Sequence, residues 1–453
     1  MSIAGFDVFG NIVHQISTLR HQEGGPLPCL PARSRAQTSA LVLGICAVAA
    51  SRAARAADPL NSSDKTSASA SAPDGEKHAD VNVVPAIGGT TDIGFGGGYF
   101  LGVTRTHRGE DPYVWDLESA GLVTFKPADR GVDVPYQDVY AKLVVPRLFG
   151  PRTRVEIRPS YTYDATLSYY GMGNASSSSP PPGASSSYFW YARRHPALYL
   201  DARTRVADHL AAVTGLRYVQ NWVEVPAGSK LASDMRSGSD EVRRLIGATA
   251  PHAVALFHYG LQWDDRDSEV SPHHGSFVET SLFLSPGGGG MFAHAYGQTN
   301  VTARAYFPLS RRAVLAVRGV ADVLFGDPPF YELSRFDDTY ALGGSGGVRG
   351  IPAQRYYGKV KLFGNVELRH DIVSFHALGK SLLLGAVGFF DAGRLWADLS
   401  PHPELDGSGL GLKWGIGTGL RLQSGETFVM RADVAWSPDA QPIGGYLAAE
   451  QMF

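Results

Sequence analysis

Cysteine is nearly absent from this sequence: among 453 residues only Cys29 and Cys46 are cysteines, and both lie near the start of the chain. A chain with no cysteine beyond this point has no disulfide framework, no thiolate metal site and no cysteine nucleophile. An excess of one charge is absent as well, because 41 basic and 43 acidic residues nearly cancel. The sequence therefore lacks the basic field of a nucleic-acid-binding protein, and we expect no nucleic-acid partner.

The apolar run near the start of the chain, Ala40–Ala50, is too short to span a bilayer, which takes ~20 apolar residues. Arg33 and Arg35 precede this run, and small residues ending at Ala56 follow it, as in a secretory signal peptide. We expect cleavage near Ala56, so that residues 1–56 form a leader whose unusual length indicates a misassigned start. The alternative is a short buried helix.

The stretch after the leader, residues 57–80, is rich in serine, alanine and aspartate and has almost no large apolar side chains. Such a composition does not bury enough apolar surface to fold, so we predict a disordered linker. The linker is also too short for a folded domain. Residues 81–453 are therefore expected to form the one folded unit.

Long apolar runs are missing from residues 81–453, where no stretch approaches the ~18 residues of a transmembrane helix. Their recurrent feature is alternation of apolar and polar residues with a period of two, which predicts β-strands. Val301–Phe307 alternates in this way. Phe428–Trp436 does so too, with Arg431 and Asp433 on one face of the predicted strand.

About sixteen such segments follow one another, the first at 82–89 and the last at 444–453, with 295–309 and 382–396 among them. Strands of ~9 to 11 residues or more with one polar face fit a membrane barrel better than a soluble sandwich. Long polar connections, such as 171–187 and 224–251, alternate with tight ones, as the outer loops and periplasmic turns of such barrels do. We predict an all-β fold, a transmembrane antiparallel β-barrel of about 16 strands in the bacterial cell outer membrane.

Three stretches go beyond a general barrel pattern. The first is an acidic–arginine–acidic triplet before a turn, the second a glycine-rich loop followed by a strand with one glutamate, and the third a strand with one aspartate. Their residues are, in order, Asp265, Arg266, Asp267, Pro272 and Gly275; Gly343, Gly344, Val348, Arg349, Gly350 and Glu367; and Asp391. A strand, not a helix, follows the glycine-rich loop, so this loop is not expected to bind phosphate.

In this order the motifs resemble those of the bacterial surface antigen family, the outer-membrane barrel superfamily of BamA, TamA and the two-partner-secretion transporters. That family has a D-x-R-D pattern with a later P-x-x-G, an R-G motif in the sixth extracellular loop, an E-L-R-like strand and an F-x-D-x-G strand. The resemblance covers residues 81–453. The final Phe453 also resembles the C-terminal aromatic signal by which such barrels reach their assembly machinery; the alternative is termination in phenylalanine by chance.

The resemblance implies that the sixth loop folds into the lumen and that Arg349 forms a salt bridge there. The family places acidic groups on the inner wall opposite the loop arginine, which makes Asp391 and Glu367 the expected partners. A guanidinium can bind such carboxylates in bidentate geometry. The alternative is a solvated loop arginine and two unrelated carboxylates.

The triplet of Asp265, Arg266 and Asp267 is expected at a periplasmic turn, where Pro272 and Gly275 fit. We interpret the triplet as a charge cluster that stabilises this turn.

The chain departs from the family pattern in two respects. Assembly and secretion members have periplasmic POTRA domains of about 75 residues each before the barrel, and residues 57–80 do not have room for one. Ile351 also stands where the family usually has phenylalanine or tyrosine. The sequence therefore resembles a POTRA-less member. We expect insertion or translocation of proteins across the outer membrane, with unfolded outer-membrane proteins or secreted clients as partners; the alternative is a passive pore or anchoring barrel.

Enzymatic features are not expected in this chain. His273 and His274 are adjacent and do not make an ordinary metal pair, and no serine stands in a G-x-S-x-G elbow. We therefore expect no enzyme activity, no cofactor and no metal, and a monomer surrounded by outer-membrane lipid.

Overall fold

The computed structural model describes residues 78–90, 94–106, 113–128, 131–268, 270–290, 292–336, 347–352, 354–377, 380–424, 428–448 and 451–453. In this part of the chain, every helix is too short or too polar to cross a membrane.

The described residues form seventeen β-strands, three α-helices and a short 3₁₀-helix at Phe330–Glu332. The strands are β1 (His78–Thr90), β2 (Gly94–Thr106), β3 (Trp115–Ala128), β4 (Gly131–Asp133), β5 (Tyr136–Pro146), β6 (Thr153–Ser168), β7 (Trp190–Ala207), β8 (Leu210–Glu224), β9 (His252–Asp264), β10 (Gly275–Pro286), β11 (Ala295–Ser310), β12 (Ala313–Gly326), β13 (Val360–Ala377), β14 (Lys380–Trp396), β15 (Lys413–Ser424), β16 (Phe428–Ser437) and β17 (Ala440–Ala448). The helices are α1 (Lys230–Ser237), α2 (Asp240–Ile246) and α3 (Pro403–Asp406).

The strands pair antiparallel in chain order and make one sheet. The short β4 only extends β3 at one end, and β5 takes the next place in the sheet. The remaining sixteen strands confirm the predicted antiparallel barrel and its strand number. We call the end of the barrel with the helices and long connections the loop end, and the opposite end the turn end.

The wall of the barrel has its apolar side chains outside and its polar side chains inside. On β13, Leu362, Val366 and Leu368 are 43 to 50% exposed, whereas Lys361 and Glu367, which alternate with them, are fully buried. In water such an arrangement would be costly, because apolar area is left in solvent and charge is removed from it. In a bilayer the same alternation satisfies both faces of the strand.

The long connections at the loop end pack into a cap with its own apolar core. The segment between β8 and β9, expected as a polar connection, folds into α1 and α2, because Ser229 and Ser239 accept hydrogen bonds from the first-turn N–H groups of each helix. Leu231, Leu245 and Ile246 from these helices are buried against aromatic residues of three other connections and strand ends. This core contains Tyr169, Tyr191, Phe330, Tyr331 and Tyr357.

The end of the last strand differs from the prediction. The expected strand at 444–453 is observed as β17, which ends at Ala448, and residues 451–453 are not part of it. Met452 and Phe453 are buried with Tyr306 of β11 and Ala316 of β12, both of which face the lumen. Phe453 therefore does not lie on the lipid-facing surface of a final strand. Its ring contacts apolar and cationic side chains inside the barrel. The alternation of apolar and polar residues along the last strand does not predict these contacts, because the partners lie on other strands.

Candidate functional site

Arg349 lies inside the barrel, on a segment that reaches in from the loop between β12 and β13. Its Nε and Nη2 donate to the two carboxylate oxygens of Asp391 at 2.7 and 3.0 Å, a bidentate pair. Nη1 donates to Glu367 Oε1 at 2.7 Å and to Asp433 Oδ2 at 3.2 Å. One guanidinium therefore connects the loop to three carboxylates of the wall.

Three strands place these carboxylates around one point of the lumen. Glu367 is on β13 and Asp391 on the adjacent β14, where the register pairs Asp391 with Asn365. Asp433 is on β16, opposite Gly419 of β15. A Cβ at Gly419 would lie 1.9 Å from Asp433 Oδ1, so the absence of a side chain there gives the carboxylate its room.

The backbone of the loop approaches the wall closely at two glycines. A Cβ at Gly415 of β15 would lie 1.9 Å from the carbonyl oxygen of Arg349, so only glycine allows this approach. Gly350 has φ of +90°, a conformation that other residues rarely adopt, and its N–H donates to the hydroxyl of Tyr446 on β17 at 2.6 Å. The N–H of Arg349 donates to Asp391 Oδ2 at 3.0 Å.

Burial makes the charges around Arg349 strongly dependent on one another. The Arg349 side chain is 2% exposed, and those of Glu367 and Asp391 are fully buried. Burial opposes the charge of Arg349, but the carboxylates of Asp391 and Glu367 outweigh it and hold the pKa of the guanidinium above its usual value. The guanidinium carbon also lies 3.4 Å from the centre of the Phe389 ring.

Three further arginines of the wall complete the cluster. Arg369 binds Glu367 at 2.8 Å, Arg431 binds Asp433 at 3.2 Å, and Arg421 binds Asp433 as well. We call the whole set the lumenal network; its members are Arg349, Arg369, Arg421, Arg431, Glu367, Asp391 and Asp433. Sequence reasoning missed Asp433 as a partner of Arg349, although the alternation in β16 had placed it with Arg431 on the polar face.

The rest of the glycine-rich loop is described in part. Val348 and Gly350 lie beside Arg349, whereas Gly343 and Gly344 lie outside the described residues. Val348 and Ile351 are buried in a small apolar cluster. The other members of this cluster are Val320, Phe336, Tyr356, Phe363 and Leu395. The loop is thus anchored by apolar contacts on both sides of Arg349.

The acidic–arginine–acidic triplet is found at the turn end, between β9 and β10. Asp265 accepts from the N–H and hydroxyl of Ser276, and Asp267 accepts from the N–H groups of His273 and His274 at 2.9 and 3.2 Å. The hydroxyl and then the N–H of Ser276 hold the pKa of the Asp265 carboxyl below its usual range. Partial burial opposes the charge of Asp267, but the N–H groups of His274 and His273 keep the pKa of its carboxyl low as well.

Among the described residues, the arginine of this triplet binds an aspartate just outside the triplet. Arg266 pairs at 2.8 and 2.9 Å with Asp264, which precedes the triplet and is the first aspartate of the D-x-R-D pattern. Pro272 is buried in the turn, and Gly275 has φ of +97° where a Cβ would lie 2.5 Å from Asp265 O. The contacts are those of a structural turn.

Two other polar clusters were not expected from the sequence. Asp201, His258 and Ser281 form a hydrogen-bonded row inside the barrel, with distances of 2.8 and 3.1 Å. Ser281 also donates to Glu279 at 3.0 Å, and both His258 and Ser281 are at most 2% exposed, so this row is a part of the wall.

The second unexpected cluster lies in the cap, where Glu241, Asp398 and His402 bring their ligand atoms within 4.8 Å of one another. Arg244 already binds both carboxylates. The cluster is therefore an ion-paired contact between two connections of the cap.

Comparison with known proteins gives a family and a fold. A model of the Omp85 superfamily domain matches residues 151–445. Among solved structures, BamA from Haemophilus ducreyi lacking POTRA domains 1–3 is similar with a TM-score of 0.51 and 16% identity, over 83% of this chain and 69% of that one. CdiB from Escherichia coli has a TM-score of 0.49 and 14% identity, over 81% of this chain and 60% of that one. No curated protein matches the chain.

Proposed function

The chain belongs to the Omp85 superfamily, and from this premise we propose that it inserts proteins into the bacterial outer membrane or translocates them across it. The clients would be unfolded outer-membrane or secreted proteins. The barrel would act as a monomer in contact with outer-membrane lipid through its exposed apolar band.

The observation that supports this proposal is the occupied lumen. Arg349 lies in the lumen between β13, β14 and β16, and Met452 and Phe453 lie in the lumen nearer the turn end. A wide, permanently open pore needs the same space. A passive pore is therefore less compatible with this interior than a barrel whose client pairs with strand edges in the barrel wall.

The part of the wall suited to such handling is the seam, by which we mean the edges of β17 and β1. The ladder from β16 to β17 is regular only from Arg431–Ala448 to Ala435–Gly444, and a bulge separates the next pair. Among the described residues, β1 forms its ladder with β2, and Pro85 in its middle has no N–H to donate. Strand edges of this kind can pair with an incoming strand.

Reconstitution tests the proposal directly. The purified barrel is placed in liposomes, a urea-unfolded outer-membrane barrel is added, and folding of this client is followed by its change in gel mobility without heating. We expect client folding to be faster than in empty liposomes. A disulfide between engineered cysteines on β1 and β17 should abolish the gain, and its reduction should restore it.

A matched control uses a disulfide between β5 and β6, for instance from Val145→Cys and Val155→Cys, which are paired in the sheet away from the seam. The proposal is wrong if client folding is no faster than in empty liposomes. It is also wrong if the two disulfides have equal effects. Large, steady single-channel currents from the unaltered barrel would favour the passive pore.

A further inference from the structure

Residues 451–453, which we call the inserted segment, occupy a pocket in the lumen near the turn end. The ring of Phe453 is 4% exposed and packs on Tyr306, Val314 and Ala316. Two guanidinium carbons, those of Arg318 and Arg369, lie 4.9 and 5.2 Å from the centre of this ring. The pocket thus offers an apolar floor and cationic sides to an aromatic side chain.

The main chain and the other side chains of the inserted segment are also bound. Arg369 donates to Phe453 O at 2.8 Å, and Arg318 donates to Met452 O at 3.3 Å. Arg421 donates to the side-chain oxygen of Gln451 at 2.9 Å. The Met452 sulfur lies 3.0 Å from Arg431 Nη1. Each of the three residues therefore has at least one arginine partner from the wall.

Three of these arginines belong to the lumenal network. Arg369 binds Glu367 with Nε and the inserted segment with Nη2. Arg421 and Arg431 both bind Asp433 and the segment. Glu367 and Asp433 are in turn partners of Arg349. The same side chains thus connect the loop on one side with the inserted segment on the other.

We propose that this pocket is a peptide-binding site, occupied in this structure by the chain's own residues 451–453, and that its occupation strengthens the attachment of the Arg349 loop. Its ligand is a short polypeptide with free main-chain carbonyls and an aromatic side chain preceded by an apolar one. A wall arginine that binds both the inserted segment and a carboxylate of the network is fixed in position. It then holds that carboxylate, Glu367 or Asp433, where Arg349 can bind it. Coupling of this kind acts equally in both directions.

The inference is independent of client insertion and is tested on the barrel alone. Cys29 and Cys46 are replaced by serine, and Val348→Cys supplies the only thiol, which is buried beside Arg349 and reacts when the loop leaves the lumen. In this background Phe453→Ala is expected to raise the rate of maleimide labelling about tenfold. Adding acetyl-Gln-Met-Phe-amide should lower the rate again, whereas acetyl-Gln-Met-Ala-amide should not.

The matched control is Phe307→Ala, one residue from Tyr306 but 50% exposed on the lipid-facing side, which should leave the labelling rate unchanged. In the reverse experiment, with Val348 unchanged, the thiol is placed at Met452→Cys, which keeps the Phe453 ring in the pocket, and its labelling should rise by a similar factor when Arg349→Lys weakens the loop. If Phe453→Ala does not fold, as judged by gel mobility without heating, Phe453→Leu replaces it and should give a smaller rise. Unchanged labelling in the folded variant, an equal rise in Phe307→Ala, or equal effects of the two peptides would overturn the proposal.

Discussion

Strands β13 to β16 and the seam belong to the same sheet, yet different interactions stabilise them. β13 and β14 pair from Val360–Trp396 to Ala377–Lys380, and buried ion pairs of the lumenal network join them from inside. The ladder of β17 with β16 is interrupted after Ala435, as the longer ladder of β13 with β14 is after Asp371, but no member of the lumenal network lies on β17, β1 or β2. If the barrel acts as proposed, we expect the side with the network to resist opening and the seam to open more readily.

The largest expected effect comes from removing the centre of the network. Arg349→Ala leaves Asp391 buried without its main partner, and breaking a buried pair in this way costs ~3–5 kcal/mol. We expect a free energy of unfolding lower by about that amount, measured by denaturant titration, and larger currents in planar bilayers. Arg349→Lys keeps the charge without the bidentate geometry, so its free energy of unfolding and its current should lie between those of the unaltered protein and Arg349→Ala. If the unaltered protein, Arg349→Lys and Arg349→Ala had equal free energies of unfolding, the lumenal network would not stabilise its side of the barrel more than the seam is stabilised.

Substitutions of the two aspartates of the network should have different effects, one on the attachment of the loop and the other on the stability of the wall. Within the described part of the chain, the hydrogen bonds to the Asp391 carboxylate come from Arg349, whereas Asp433 also binds Arg421 and Arg431 of the wall. Asp391→Asn should mainly raise the current, and Asp433→Asn should mainly lower the free energy of unfolding, by ~2–3 kcal/mol. Paired bilayer and denaturation measurements check this. Identical profiles for the two variants would contradict the division.

A smaller effect is expected from a single methyl group at the close approach of the loop. Gly415→Ala puts a Cβ where the carbonyl oxygen of Arg349 now lies, so the loop must shift. We expect a cost of ~1–3 kcal/mol and a partial rise in current. Gly388→Ala, on the neighbouring β14 with open space around its Cβ, is the control and should change neither quantity.

The smallest effect on stability is expected at the seam. Pro85→Val restores an N–H to β1 at an exposed position, and we expect the free energy of unfolding to change by no more than ~0.5 kcal/mol. Folding of a client in the liposome assay should nevertheless be slower, because a better-formed edge opens less readily. Pro159→Val, an equally exposed proline within β6, should have no such effect on the client. If Pro85→Val destabilises the barrel as much as Arg349→Ala, the two sides do not differ as described.

Much of the fold could be predicted because period-two alternation is a local property. It located β11 at 295–309 against the observed Ala295–Ser310, and β14 at 382–396 against Lys380–Trp396. Chemistry between distant strands was harder to foresee. Asp433 meets Arg349, and Arg421 meets Asp433, only through the register of β15 and β16, which depends on the whole barrel. The inward turn of Phe453 was missed because the apolar pocket of Tyr306, Val314 and Ala316 is assembled from other strands.

The order in which the partners of Arg349 become available follows from their positions along the chain. Glu367, Asp391 and Asp433 lie 18, 42 and 84 residues after it. Contacts between distant residues are delayed by the entropy of closing the intervening chain. Glu367 is therefore the first carboxylate that Arg349 can meet, and Asp433 becomes available only after β14, β15 and β16 have joined the sheet. The loop therefore acquires all its contacts with the wall late in folding. A protease that cuts the loop when Arg349 is not bound would remove barrels that lack their final strands.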